Sequence, residues 1–113
     1  MRMQDATEQN GCLYVLEDSH HDGVASRFVR GTDGAVGFDS GKPAWDVAAM
    51  RPLPVPAGTL VLLHGSNVHG SSQNTSLVSR HAYSMHVCEG APGAEWAATN
   101  WLQRDHSLPF EPL

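Results

Sequence analysis

Histidine and aspartate side chains occur in this sequence at spacings that are compatible with metal chemistry. The stretch "SHHDG" holds His20, His21 and Asp22, and His20 with Asp22 forms a His-x-Asp pattern. His-x-Asp supplies two of the three ligands of a 2-His-1-carboxylate iron site. Downstream, "HGSNVHGSS" offers His64 and His69 as candidates for the third ligand. The first question is therefore whether these residues complete one metal site.

An arginine that opens an alternating run points to anion binding. In "RHAYSMHVCE" (80–89), strand geometry places Arg80 and Ser84 on one face, with His81 and Met85 on the other. A guanidinium that points into a barrel needs an anionic partner, because an unpaired buried charge is strongly destabilising. A carboxylate bound through two parallel hydrogen bonds is the natural partner.

The histidine spacings by themselves do not predict a ligand set. His64 and His69 are five residues apart, as are His81 and His86. On a strand, an odd offset places two side chains on opposite faces. Each histidine taken alone is therefore interpreted as structural.

The elements that position these residues are predicted to be short strands. The chain has 11 Gly and 7 Pro, and the runs between them are rich in branched and aromatic residues, which favours strands over long helices. The sequence predicts strands at 11–17, 58–64 and 80–88 in one antiparallel fold. Residues 30–46 carry four glycines and little periodicity, which predicts a flexible loop. The C-terminal residues from Trp96 are expected to form a turn of helix and an extended tail that cover a sheet; their large apolar members are Trp96, Trp101, Leu102 and Phe110.

Composition bounds the class of protein. A chain of 113 residues predicts a single domain over 1–113. A net charge of -5, without runs of like charge, disfavours nucleic-acid binding. The polar N-terminus is unlike a signal peptide, and no apolar run has the length of a membrane span. We expect a soluble, cytoplasmic protein with no membrane partner.

Several motifs, in order, carry a resemblance to a known family. They are "DATEQNGCLYVL" at 5–16, "PVPAGTLVLLHGSNVHGSSQNTS" at 54–76, "SRHAYSMHV" at 79–87, and "NWLQ" and "LPF" near the end. Together they resemble the C-terminal half of the phytanoyl-CoA dioxygenase family, in its branch of phytanoyl-CoA dioxygenase domain-containing proteins. The resemblance runs from about residue 4 to the end, and the 30–46 loop is its least similar part.

The resemblance implies a fold, cofactors and site residues. The family's double-stranded β-helix, a jelly-roll, holds Fe(II) and 2-oxoglutarate, so this chain is expected to be an all-β, partial β-helix with short helical turns at its C-terminus. The family's "HGxxVHxS" motif places its distal metal ligand at His69. The arginine that pairs with 2-oxoglutarate corresponds to Arg80, with Ser84 beside it on the concave face. His64 receives no ligand role.

The resemblance also bears on "SHHDG". The family's own His-x-Asp lies upstream of the "NGCL" strand, and the segment after that strand reads like "PGSH". By this alignment His20 matches the turn histidine, and His-x-Asp at 20–22 is a coincidence. We therefore expect a truncated dioxygenase with His69 and Arg80 but without the upstream metal motif, and no turnover by the chain alone.

Two alternatives remain open. One is a rearranged metal site formed by His20, Asp22 and His69. The other is a non-catalytic half-barrel that acts as an interaction or scaffold module, since open strand edges are templates for pairing with another chain. A complete family domain is expected to act on a small-molecule substrate, and this chain is expected to form a homo-oligomer through its open strand edges.

Overall fold

The computed structural model describes residues 3–41, 43–90, 92–105 and 107. These residues form short strands and two turns of 3-10 helix. The strands are β1 (Leu13–Val15), β2 (Phe28–Arg30), β3 (Val36–Phe38), β4 (Arg51–Leu53) and β5 (His69–Ser71), and the 3-10 turns are Ser19–Asp22 and Val47–Ala49. The described residues fall into two compact units, one drawn from 1–24 and 44–85 and the other from 25–43 and 86–113.

The first unit is built on a three-stranded antiparallel sheet. β1 lies at its centre and pairs with β4 on one side and with β5 on the other. Tyr14 stands opposite Pro52 on one neighbouring strand and opposite Gly70 on the other. Proline at position 52 fits an edge strand, because its ring nitrogen cannot donate to a ladder. Partial burial and the carboxylate of Glu8 raise the pKa of the Tyr14 phenol.

A hydrogen-bonded turn over residues 5–12 leads into β1. Asn10 is buried, and its side-chain oxygen accepts from the Thr7 N–H at 2.7 Å while its amide nitrogen donates to the Asp5 carbonyl at 2.9 Å. Gly11 follows with a φ of 81°, a conformation that glycine adopts without steric cost. Cys12 is fully buried. This turn is the most enclosed part of the unit, and it fixes where β1 begins.

The second unit contains a two-stranded hairpin. β2 and β3 pair antiparallel, with Phe28 opposite Phe38 and their rings in edge contact at 5.1 Å. Asp39 accepts hydrogen bonds from the backbone N–H of Arg27 and from the Ser26 hydroxyl. These bonds, with one from the neighbouring Ser40, lower the pKa of the Asp39 carboxyl.

Residues 99–101 lie along this hairpin. Asn100 forms a bridge with Val29, and Arg30 donates from its backbone N–H to the Thr99 carbonyl and from its guanidinium to the Trp101 carbonyl. The predicted contact of the C-terminal segment with a sheet is confirmed for residues 99–101. The predicted C-terminal helical turn is wrong for 92–105, which contain no helix. The backbone carbonyls of Thr99 and Trp101 accept hydrogen bonds from the hairpin instead of from a helix. Phe110 lies outside the described residues.

The structure corrects two of the three predicted strands. The run 11–17 contains β1, as expected, but 58–64 and 80–88 contain no strand longer than a single bridge residue at position 82. Leu62 is 86% exposed, so the interpretation of its run as a buried strand is wrong. A strand exists only where a neighbour completes its ladder, and no described segment pairs with 59–64.

The segment 30–46, predicted as a loop, is partly a strand. β3 lies inside it and pairs with β2 across the turn at 31–35. In that turn, Gly31 donates to the Ala35 carbonyl, and Gly34 has a φ of 82°. Two of the four glycines that suggested a loop, Gly31 and Gly34, therefore serve a hairpin turn.

Candidate functional site

The "SHHD" and "HGSNVH" motifs are held together by one buried hydroxyl. Ser19 Oγ donates to the Leu16 carbonyl at 2.8 Å and accepts from the Val68 N–H at 2.8 Å. The side-chain amide of Asn67 donates to the same oxygen at 3.2 Å and to the Leu16 carbonyl at 3.1 Å. The Leu16 N–H in turn donates to the Val68 carbonyl. These bonds fix the first 3-10 turn against the start of β5.

His69 presents one ring nitrogen for binding. Its Nδ1 lies 2.8 Å from the carbonyl oxygen of Asn67. Because a carbonyl oxygen only accepts, Nδ1 must carry the proton, which leaves the lone pair of the neutral ring on Nε2. Histidines that ligate metals usually donate their other ring N–H to a carbonyl or carboxylate in this way. His69 is exposed at the start of β5, so its Nε2 is accessible.

His64 has the opposite arrangement. Its Nδ1 accepts from the backbone N–H of Ser66 at 3.2 Å, with the Ser66 hydroxyl 2.9 Å away. The lone pair on Nδ1 is therefore used, and in the neutral ring the proton lies on Nε2. In this tautomer Nε2 carries the proton and has no lone pair for a metal.

A group of three potential ligands forms at the first 3-10 turn. The ligand atoms of Asp18, His20 and His21 all lie within 4.8 Å of one another. Among the described residues this is the single such group of histidine, cysteine, aspartate or glutamate side chains, and neither Asp22 nor His69 belongs to it. The structure therefore does not bring His20, Asp22 and His69 to one point.

An open cavity of about 530 Å³ lies beside this turn. Its wall is mainly apolar, with aliphatic side chains from β1, from β4, from Val55 and from 60–63. Its polar members are Thr59, His20, His64 and Asn67. The rings of His20 and His64 lie 5.2 Å apart, measured between centroids. The cavity thus places imidazoles next to an apolar surface.

Arg80 and Ser84 lie in an irregular segment. Arg80 is half-buried, whereas Ser84 is exposed. No side-chain hydrogen bond or ion pair joins the Arg80 guanidinium to another residue within the described ranges. Its charge is therefore available to an anion, while a shared concave face with Ser84 stays a prediction.

Sequence reasoning missed Asp18 and Ser19. Asp18 is the one non-glycine residue with positive φ among those described, at 57°. The sequence carries a signal for Asp18, because "DSHHD" places carboxylates on both sides of the histidines, whereas the His-x-Asp pattern includes only the second of them. The 3-10 turn decides the outcome, since it brings position 18, and not position 22, toward both rings.

Comparison with known proteins gives one consistent family. The model of the family described as phytanoyl-CoA dioxygenase (PhyH) matches residues 1–82. The chain is 47% identical over 113 residues to phytanoyl-CoA dioxygenase domain-containing protein 1 of Rattus norvegicus, covering 97% of this chain and 38% of the relative. It is 42% identical to phytanoyl-CoA dioxygenase 1 of Oryza sativa, covering 100% of this chain and 39% of that relative. Against phytanoyl-CoA dioxygenase of Arabidopsis thaliana the identity is 41%, over 98% of this chain and 38% of the relative.

The chain therefore spans about two fifths of the length of the curated relatives it matches. Among the described residues, no helix has the length and apolar character needed to cross a membrane. The alignments with these relatives include both the β1 segment and the segment around His69.

Proposed function

Because the chain belongs to the phytanoyl-CoA dioxygenase family, we propose that it supplies one metal ligand, His69, and one carboxylate-binding residue, Arg80, to an Fe(II)- and 2-oxoglutarate-dependent dioxygenase site. The chain is a β-rich segment of a dioxygenase-like protein. The proposal extends this to a jelly-roll domain whose other two metal ligands come from residues outside these 113. The substrate is a small molecule.

The observation that carries the proposal is the orientation of the His69 ring. The hydrogen bond from Nδ1 to the Asn67 carbonyl fixes the tautomer with Nε2 free. Asn67 is itself held by Ser19 and Leu16, so the ring is oriented by a connected set of hydrogen bonds. Fixed ring orientation is what a ligand needs, because metal affinity depends on ligands held in place beforehand.

Arg80 fits the second role. It is half-buried and makes no ion pair with any residue that the structure describes. A planar guanidinium can bind the far carboxylate of 2-oxoglutarate through two parallel hydrogen bonds. When bound, the iron and 2-oxoglutarate would supply the oxygen activation, and this chain would hold one metal position and the charge of the co-substrate.

One histidine does not make an iron site, because affinity comes from several ligands held together. We therefore expect the 113-residue chain alone to release no succinate from 2-oxoglutarate with added Fe(II).

A chimera tests the proposal. The 113 residues replace the matching segment of phytanoyl-CoA dioxygenase 1 of Oryza sativa, which is 42% identical to this chain. Succinate release is measured with Fe(II), 2-oxoglutarate and phytanoyl-CoA. We expect the chimera to be active, and His69→Ala and Arg80→Ala each to lower the rate at least about 100-fold, since removing even an outer partner of a metal ligand costs 10–100-fold.

Matched control variants separate the loss of these two roles from a general loss of folding or stability. His64→Ala removes the other histidine of the same motif, and Arg51→Ala removes an exposed arginine on β4. Both are expected to keep most of the activity. A chimera that stays active after His69→Ala, or iron-dependent succinate from the 113-residue chain alone, would show the proposal to be wrong.

A second candidate, an interaction module, is favoured by exposed apolar side chains. In the first unit, Leu60, Leu62, Tyr83 and Met85 are each more than 60% exposed. Apolar area of this kind is typical of surfaces that another protein covers. Light scattering on the 113-residue chain tests this: a dimer or larger oligomer supports self-association, and a monodisperse monomer contradicts it.

A further inference from the structure

The first 3-10 turn carries three potential metal ligands that the dioxygenase site does not use. We propose that Asp18, His20 and His21 form a separate binding site for a divalent transition metal, with Zn²⁺ as the ion that fits it best. The site is independent of His69, and the argument for it does not depend on the proposed function.

Geometry is the first support. The three ligand atoms lie within 4.8 Å of one another. Atoms bound to one Zn²⁺ at about 2.0–2.2 Å lie roughly 3.3–3.6 Å apart in a tetrahedral arrangement. Rotation of the side chains can shorten these separations, because Asp18 and His21 are exposed and His20 is half-buried.

The turn is fixed independently of the three side chains. Ser19, between Asp18 and His20, is buried and makes the hydrogen bonds to Leu16, Val68 and Asn67 that hold the turn in place. The His21 N–H donates to the Asp18 carbonyl at 2.9 Å, which closes the turn on itself. A site built on such a turn loses little conformational entropy when the metal binds.

The backbone at Asp18 is the second support. Its φ of 57° lies in the left-handed region, which residues other than glycine seldom adopt and which aspartate and asparagine adopt more readily than most. Non-glycine residues in this conformation are found more often at functional sites. Asp18 makes no side-chain hydrogen bond that would cap the turn, so local capping does not account for the conformation. The left-handed backbone does account for a carboxylate that reaches the two imidazoles.

The donor set selects the class of ion. Two imidazole nitrogens and one carboxylate oxygen suit Zn²⁺ and its neighbours among the divalent transition metals, and not the all-oxygen sites of Mg²⁺ or Ca²⁺. Three protein ligands leave at least one position for water. His64 is near, but its tautomer keeps Nε2 protonated, so it is not the fourth ligand.

Zn²⁺ and Co²⁺ titrations of the 113-residue chain test the site. Zn²⁺ affinity is measured by competition with a chromophoric chelator, and Co²⁺ serves as a probe through its visible absorption. We expect one equivalent to bind, and the histidine ring signals of His20 and His21 in NMR spectra to shift on addition of Zn²⁺. His20→Gln, His21→Gln and Asp18→Asn are each expected to weaken binding at least about 10-fold, since loss of a direct ligand costs no less than loss of its outer partner.

The decisive comparison is between the Zn²⁺ affinities of Asp18→Asn and Asp22→Asn. Each variant replaces one carboxylate by an amide, and the two positions lie on either side of His20 and His21. Asparagine also tolerates the left-handed backbone at position 18. We expect Asp22→Asn and His64→Gln to leave Zn²⁺ affinity unchanged. Binding that is lost with Asp22→Asn or His69→Gln but kept with Asp18→Asn would overturn the proposal. Absence of Zn²⁺ binding to the wild-type chain would also overturn it, as would Zn²⁺-induced NMR shifts at histidine rings other than His20 and His21. Because the NMR titration uses the wild-type chain, its result does not depend on whether a variant folds.

Discussion

The run at β1 and the run at 59–64 are alike in sequence and differ in structure. Both follow a glycine with positive φ, Gly11 at 81° and Gly58 at 85°. Both consist largely of aliphatic and branched residues. Yet Leu13–Val15 is the central strand of a sheet, whereas 59–64 pairs with no described segment and leaves Leu62 86% exposed.

The difference lies in what surrounds each run. β1 has a strand on both sides, the Asn10 turn before it and the Ser19 hydrogen bonds after it. The 59–64 run lines an open cavity, and its Leu60 and Leu62 side chains are exposed. Apolar composition makes a segment able to form a strand, but the hydrogen bonds of a neighbour make it one.

The largest expected effect comes from the two glycines. Alanine at Gly11 would place its Cβ 2.7 Å from the Ser72 carbonyl oxygen, whereas nothing lies within 4 Å of a Cβ at Gly58. Both changes strain a left-handed backbone, so Gly11→Ala is expected to lower the free energy of unfolding by about 2–4 kcal/mol and Gly58→Ala by about 1–2 kcal/mol. Urea denaturation measures both, and equal losses would show that close packing does not distinguish the two runs.

Removing the hydroxyl of Ser19 is the next test. Ser19→Ala leaves the Val68 N–H without its acceptor and Asn67 with one partner fewer, which is expected to cost about 1–3 kcal/mol in the free energy of unfolding. Amide hydrogen exchange at Val68 should accelerate by a corresponding factor. Ser71→Ala, at the exposed end of β5, is the control and should change little. Unchanged protection of Val68 in Ser19→Ala would mean that the hydroxyl does not hold the turn.

The smallest effect is expected from a pair of leucines. Leu13 is half-buried in β1, so Leu13→Gln is expected to lower the free energy of unfolding by about 1 kcal/mol, a part of the value for a fully buried leucine. Leu62→Gln is expected to change it by less than about 0.5 kcal/mol, as for other exposed positions. The same denaturation series measures both. A cost at Leu62 as large as that at Leu13 would show that 59–64 is covered in solution, for instance by a second copy of the chain.

Sequence by itself determined the family, the β-rich character and the position of β1. The motifs "NGCL" and "HGSNVHGSS" are contiguous, so their spacing is readable without the fold. The match of the family model to residues 1–82 confirms that reading. Local turn chemistry was readable too, because Asn10 and Gly11 are residues that a tight turn requires.

Only the tertiary structure decided which apolar runs are strands and which side chains meet. Pairing depends on residues far apart in the chain, such as Leu13 with Leu53 and Ser71, and no local pattern specifies them. The tautomer of His69 depends in the same way on where the Asn67 carbonyl lies. Asp18 replaced Asp22 beside the histidines because a left-handed residue begins the 3-10 turn, and sequence spacing alone does not give that direction.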